Sequence, residues 1–169
     1  HQLFRNLGQP AEAPADFPTQ FEEVTEAAGP PFRTPQVSRG AAWGDYDGDG
    51  DLDILINNNG GACELLRNEI GNHKHWLQVR LQGKKSNRNG IGAELQVRAG
   101  GRLQTDWVRS GSSYCSASAL SPHFGLGDAG SFEWVEVAWP SGRRERFPGG
   151  PADQVVTLVE GSGRPAPRR

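Results

Sequence analysis

Five aspartates occupy every second position of the run Asp45-Tyr46-Asp47-Gly48-Asp49-Gly50-Asp51-Leu52-Asp53. Carboxylates this close repel one another, and neither a core nor a sheet ladder requires them. A hard divalent cation removes that repulsion, and calcium takes six to eight oxygen ligands from a flexible loop. The two glycines let the backbone curl, so carboxylates at alternate positions converge on one point. Asp45, Asp47 and Asp49 are expected to supply side-chain oxygens, Asp51 its backbone carbonyl, and Asp53 both carboxylate oxygens. An all-oxygen set favours calcium over zinc, which takes Cys and His. The run is not an EF-hand loop, which ends in Glu at its twelfth position and continues into a helix. The plain alternative is an exposed acidic turn without metal.

The flanking sequence reads as strands. Gly (23) and Pro (12) make up about a fifth of the 169 residues, which favours short strands and turns over long helices. Residues 1–8 suggest one strand, and a Pro/Ala-rich linker follows at 9–19. Phe21–Thr25 alternates. A helical turn is expected at Glu26–Ala28, stopped by Gly29-Pro30-Pro31. Leu52–Ile56 is a buried-strand candidate that ends in the turn Asn57-Asn58-Asn59-Gly60-Gly61, and Cys63–Arg67 gives a further short strand. From His75 onward a second region begins. Trp76–Leu81 alternates, with Leu77, Val79 and Leu81 on one face. Ala93–Ala99 and Arg102–Arg109 form a hairpin about Gly100-Gly101. Strands are expected at His123–Leu126, Phe132–Trp139, Glu145–Phe147 and Gln154–Val159, a spacing that predicts a β-sandwich. The tail 163–169 is expected to be loose.

Several function classes find no support. The formal net charge of −2 points to neither nucleic acid nor an anionic membrane, and no apolar stretch has the length of a membrane span. The first residues, His1-Gln2-Leu3-Phe4-Arg5-Asn6, do not form a signal peptide. There is no Gly-x-Ser-x-Gly elbow, no phosphate-cradling loop and no second convergent carboxylate pair, so the chain is read as a non-enzyme. Two cysteines, Cys63 and Cys115, suffice for one bridge, within or between chains; two free thiols are the alternative. His73 and His75 share a strand face, and with His123 they offer a transition-metal site, or they are structural. A mature N-terminal His1 would chelate copper through amine and imidazole, a remote oxidoreductase reading. Arg143-Arg144-Glu145-Arg146 reads as a solvated hairpin. Of the five tryptophans, Trp76 and Trp107 are the candidates for a sugar platform or an interface, and Trp139 for packing.

Two families are resembled. Gly44-Asp45-Tyr46-Asp47-Gly48-Asp49-Gly50-Asp51-Leu52-Asp53-Ile54-Leu55 resembles the FG-GAP/VCBS repeat, a calcium-binding blade of integrin-type propellers. Phe21–Thr25 and Leu66-Arg67-Asn68 are similar to its flanking strands, and Leu3-Phe4-Arg5-Asn6 to the closing strand of a preceding repeat. Downstream, His75-Trp76-Leu77, Ser86-Asn87-Arg88-Asn89-Gly90-Ile91-Gly92-Ala93, Gly111-Ser112-Ser113-Tyr114, His123-Phe124-Gly125-Leu126-Gly127 and Val137-Ala138-Trp139-Pro140-Ser141-Gly142 resemble the ASPIC/UnbV domain. That domain follows such repeats in bacterial secreted proteins and in cartilage acidic protein 1. The resemblance implies an extracellular, calcium-binding protein without enzymatic activity.

The expected architecture is all-β: an N-terminal strand and linker (1–19), a single propeller-type calcium-binding blade (20–70), a β-sandwich of seven or eight strands (71–162) and a tail (163–169). A lone blade leaves faces and edges uncovered. Its missing neighbours are expected from other copies of the chain, with residues 1–8 reaching a neighbouring subunit, or from its own sandwich. The leading expectation is thus an extracellular structural or adhesive subunit that assembles with itself into a filament or ring. The alternative is a monomeric module that binds a glycan or a surface protein.

Overall fold

The structure is a computed structural model that describes residues 2–8 and 20–166. The linker at 9–19 lies outside the described residues. On either side of it, β1 (Phe4–Gly8) and β2 (Gln20–Glu23) form an antiparallel two-stranded ribbon. The first strand thus pairs within its own chain, whereas it was expected to reach a neighbour. Residues 25–28 form a turn. Gly29-Pro30-Pro31 does not stop a helix but starts one, α1 (Pro30–Arg33). Proline suits that position because its fixed φ is helical and its missing N–H has no acceptor in a first turn.

The acidic run connects β3 (Ser38–Gly44) to β4 (Asp53–Asn58), and β5 (Glu64–Leu66) completes an antiparallel sheet of order β3-β4-β5. The register aligns Trp43, Ile54 and Leu66 in one row and Ala42, Leu55 and Leu65 in the next. Adjacent rows face opposite sides of a sheet. Leu55 and Leu65 therefore form an apolar cross-strand pair on one face, and both are about half exposed (50 % and 46 %).

The remaining strands are β6 (His75–Gln82), β7 (Glu94–Ala99), β8 (Arg102–Trp107), β9 (His123–Gly127), β10 (Ser131–Ala138), β11 (Arg144–Pro151), β12 (Gln154–Val159) and β13 (Arg164–Pro165). They form a five-stranded sheet, β13-β11-β10-β7-β8, and a three-stranded sheet, β12-β6-β9, in which β12 runs parallel to β6. Leu77, Val79 and Leu81 of β6 point into one core with Leu95 and Val97 of β7 and Val135 and Val137 of β10. The expected alternation of β6 places these three residues correctly, although Gln78 on the opposite face is buried too. The tail differs from expectation: Arg164 and Pro165 pair with Arg146 and Glu145 as an edge strand. Residues 167–169 lie outside the described residues.

The core belongs to the sandwich. Among the described residues, Ile56 is the one buried hydrophobic upstream of residue 71. The N-terminal sheet is therefore held largely by what it leans on. Gly40 and Gly44 share a face of β3, and without side chains they admit the segment 114–119 against that strand. A Cβ on Gly40 would lie 2.5 Å from Ser116 Oγ, and one on Gly44 would lie 3.3 Å from Ala119 Cβ. Ala119 N also donates to Trp43 O at 3.0 Å. Part of the N-terminal sheet thus packs on the sandwich of its own chain, the second of the two arrangements anticipated from sequence.

Candidate metal centre and the joint beside it

The loop between β3 and β4 is organised by its own carboxylates. Asp45 Oδ1 accepts from Gly48 N at 2.7 Å and Asp45 Oδ2 from Gly50 N at 3.2 Å. Asp47 Oδ1 accepts from Asp49 N at 3.3 Å, and Asp49 Oδ1 from Asp51 N at 3.2 Å. These short-range bonds need a tight curl, which Gly48 (φ 78°) and Gly50 (φ 98°) supply. The result brings together ligand atoms of Asp45, Asp47 and Asp49, all within 4.8 Å of one another. Three carboxylates without His or Cys make a donor set suited to a hard divalent cation.

Asp51 and Asp53 occupy different positions. Both are buried. Asp51 lies against Gly71, where a Cβ would fall 2.6 Å from the Asp51 Cβ. Asp53, at the start of β4, gives both oxygens to backbone amides: Oδ2 accepts from Tyr46 N and Oδ1 from Asn68 N, each at 2.9 Å. Asp53 thus clamps the loop to the chain after β5 and lies outside the group of three carboxylates that converge. Arg67 Nε lies 2.7 Å from Asp47 Oδ2 and 3.0 Å from Glu69 Oε1, a cationic contact with the loop that the alternating aspartates gave no reason to expect.

The loop is seated on the sandwich through Gly50. A Cβ there would lie 2.0 Å from Trp76 Nε1, so the indole of β6 lies directly against the loop backbone. Trp76 stacks on His123 of β9 with centroids 5.8 Å apart, and His123 Nε2 bonds Gly50 O at 2.9 Å. Trp76 is accordingly a joint residue and not a free platform. His75 turns elsewhere: its Nδ1 lies 2.8 Å from Asp153 Oδ2, and that hydrogen bond is the main cause holding the Asp153 carboxyl below its ordinary value. His75 and His123 thus have separate partners, and His73 is exposed. Among the described residues, no group of three metal-binding side chains includes a histidine.

A second polar centre, one the sequence reading missed, lies at Glu160. Its Oε2 accepts from the backbone amides of Lys84, Lys85 and Ser86 at 2.8, 2.8 and 2.7 Å. Its Oε1 accepts from the hydroxyls of Ser86 at 3.1 Å and Ser141 at 2.5 Å. Burial works against the charge, but the Ser141 hydroxyl and the amides of Ser86, Lys84 and Lys85 outweigh it and hold the carboxyl at about 2. Two motifs singled out by resemblance, those beginning at Ser86 and at Val137, therefore meet on one carboxylate. Strand periodicity carried no sign of it, because Glu160 follows the last residue of β12.

Cys63 and Cys115 are both exposed and free. The bridge expected between them is not made within this chain; Cys63 Sγ instead donates to Asn57 Oδ1 at 3.5 Å. Trp139 is buried, as expected of a packing residue, while Trp43 and Trp107 are exposed. Those last two line a cleft with Asp106, Arg109 and Ser118 where the N-terminal sheet meets the sandwich. Arg109 lies over the Trp107 ring at 5.3 Å. His1 lies outside the described residues.

Fold and site together define an all-β protein in which an aspartate loop is seated on a two-sheet sandwich. Residues 83–165 match the family described as ASPIC and UnbV, which marks an ASPIC/UnbV domain running from the loop after β6 to β13. No curated protein matches the chain.

Proposed function

We propose that this chain is an extracellular calcium-binding structural or adhesive subunit that assembles with itself through strand edges. The observation that carries the reading is the incompleteness of the β3-β4-β5 sheet. It has three strands, an edge at β5, an exposed Leu55–Leu65 pair and a single buried hydrophobic residue, Ile56. A sheet this small does not hold its shape alone, and edges of this kind pair with other chains. Asp45, Asp47 and Asp49 would hold the cation. When bound, calcium would neutralise the loop and fix it between β3 and β4. Through the Gly50–Trp76–His123 contact that order would extend to the sandwich. The resemblance of residues 44–55 to calcium-binding repeats, and of the whole to secreted proteins, supports the calcium and the extracellular address.

The test is sedimentation velocity with negative-stain imaging in millimolar calcium and after chelation. Assemblies that grow with protein concentration and dissolve in chelator are expected. A monomer throughout, at high calcium and high concentration, overturns the reading.

A second reading is favoured by one observation, the cleft shared by Trp43 and Trp107 with Asp106, Arg109 and Ser118. Exposed indoles beside polar groups suit a sugar ring. Glycan-array binding by a stable monomer, lost in Trp107→Ala, would establish that module instead.

A further inference from the structure

The two parts of the chain carry opposite charge. Residues 1–70 contain four Lys/Arg and twelve Asp/Glu, a net charge of −8; residues 71–169 contain fourteen and eight, a net charge of +6. One bound divalent cation would leave the first part at −6. Among the described residues, ion pairs form within each part, such as Arg5–Glu22, Arg33–Glu26 and Arg67–Asp47 in the first and Arg109–Asp106 and Arg146–Glu136 in the second. Those pairs therefore leave each part its own excess of charge.

Each pole also has an uncovered sheet face. In the β1–β2 ribbon, Phe4 pairs with Glu23 and Phe21 follows two residues along β2, so Phe4, Phe21 and Glu23 share one face. Phe4 is 52 % and Phe21 61 % exposed, and all of β2 is exposed. A two-stranded ribbon is marginal by itself in water. At the other pole, the outer face of the five-stranded sheet carries Arg98, Arg144, Arg146 and Arg164 against Glu94 and Glu136. The same face presents Leu103 and Trp107, both 43 % exposed. One face is aromatic and acidic, the other is apolar and basic. Among the described residues, nine of the thirteen exposed large hydrophobics lie upstream of residue 71, so the acidic part is the one with more apolar surface to cover.

We infer that the self-contact is head-to-tail and electrostatically matched: the Phe4/Phe21 face of one copy docks on the arginine face of the five-stranded sheet of the next. This inference rests on the self-assembly reading above and adds to its strand-edge contact a facial one, without which the edges do not hold two copies together. Two different patches in contact make a heterologous interface, which repeats into a filament or closes into a ring. Opposite charges set the orientation and disfavour like-on-like pairing.

The test uses the full chain in 1 mM calcium. Two variants each disable one face: Phe21→Arg at the ribbon, and Arg98→Glu with Arg164→Glu on the sheet. All three positions are partly or fully exposed, and circular dichroism checks that both variants remain folded. By sedimentation velocity, wild-type association should weaken about tenfold or more between 50 mM and 1 M NaCl. Each variant alone should be monomeric, and an equimolar mixture should give a discrete 1:1 dimer, because one intact face of each kind remains. A mixture that stays monomeric while the wild type assembles overturns the proposed pair of surfaces and leaves self-assembly standing. A wild type that is monomeric under every condition overturns both.

Discussion

Glu160→Gln is the substitution whose outcome the structure specifies most fully. The carboxylate is buried and receives three backbone amides and two hydroxyls. An amide side chain there loses the charge and points a donor at groups that are themselves donors. The carboxyl is held at about 2 against an ordinary 4.5, a difference worth about 3 kcal/mol at pH 7. A depressed folded-state value stabilises the fold fully above pH 4.5, and the contribution is lost as the pH falls toward 2. Only about 1 kcal/mol should remain at pH 3. Urea unfolding of wild type and variant, followed by tryptophan fluorescence at pH 7 and pH 3, measures both. The expected loss in the variant is about 3 kcal/mol at the higher pH and about 1 kcal/mol at the lower. An equal loss at both values, or a negligible loss at pH 7, would refute the claim that the charged form is what the loop recognises.

The aspartates should divide into two groups. Asp47→Asn or Asp49→Asn should abolish the rise in Tm that calcium produces while leaving the Tm in chelator unchanged or higher, and Asp45→Asn should abolish it while also lowering the Tm in chelator, because both Asp45 oxygens accept loop amides. Asp53→Asn should instead cost about 1–3 kcal/mol with or without calcium, because its partners are the amides of Tyr46 and Asn68; differential scanning fluorimetry separates the two behaviours. Gly50→Ala should destabilise by about 2–4 kcal/mol, since its Cβ meets the Trp76 ring and its φ is 98°. Gly48→Ala, with open space around it, should cost only about 1–2 kcal/mol of backbone strain, and denaturant titration of both tests the difference. Reduction with dithiothreitol, or Cys63→Ser, should leave the Tm of the monomer unchanged; a drop of several degrees would reveal a bridge.

The strands were legible because burial repeats every second residue, as in Leu77, Val79 and Leu81, and because glycine turns such as Gly100-Gly101 punctuate the chain. The convergence of Asp45, Asp47 and Asp49 was legible because it is local: alternate carboxylates and two glycines on six consecutive residues need little from elsewhere. What the sequence could not show depends on residues far apart in the chain. The clamp that Asp53 makes to Asn68 N, fifteen residues away, is invisible in a spacing pattern. Trp76 was read as an exposed or interface residue, and only the fold decides between them by laying it against Gly50; Glu160 was passed over because its five donors come from two distant loops. Local periodicity and turn chemistry thus determined the strands and the acidic cluster. Tertiary packing alone decided which carboxylates also serve distant backbone donors, because a buried amide or hydroxyl must find its partner wherever the chain brings one.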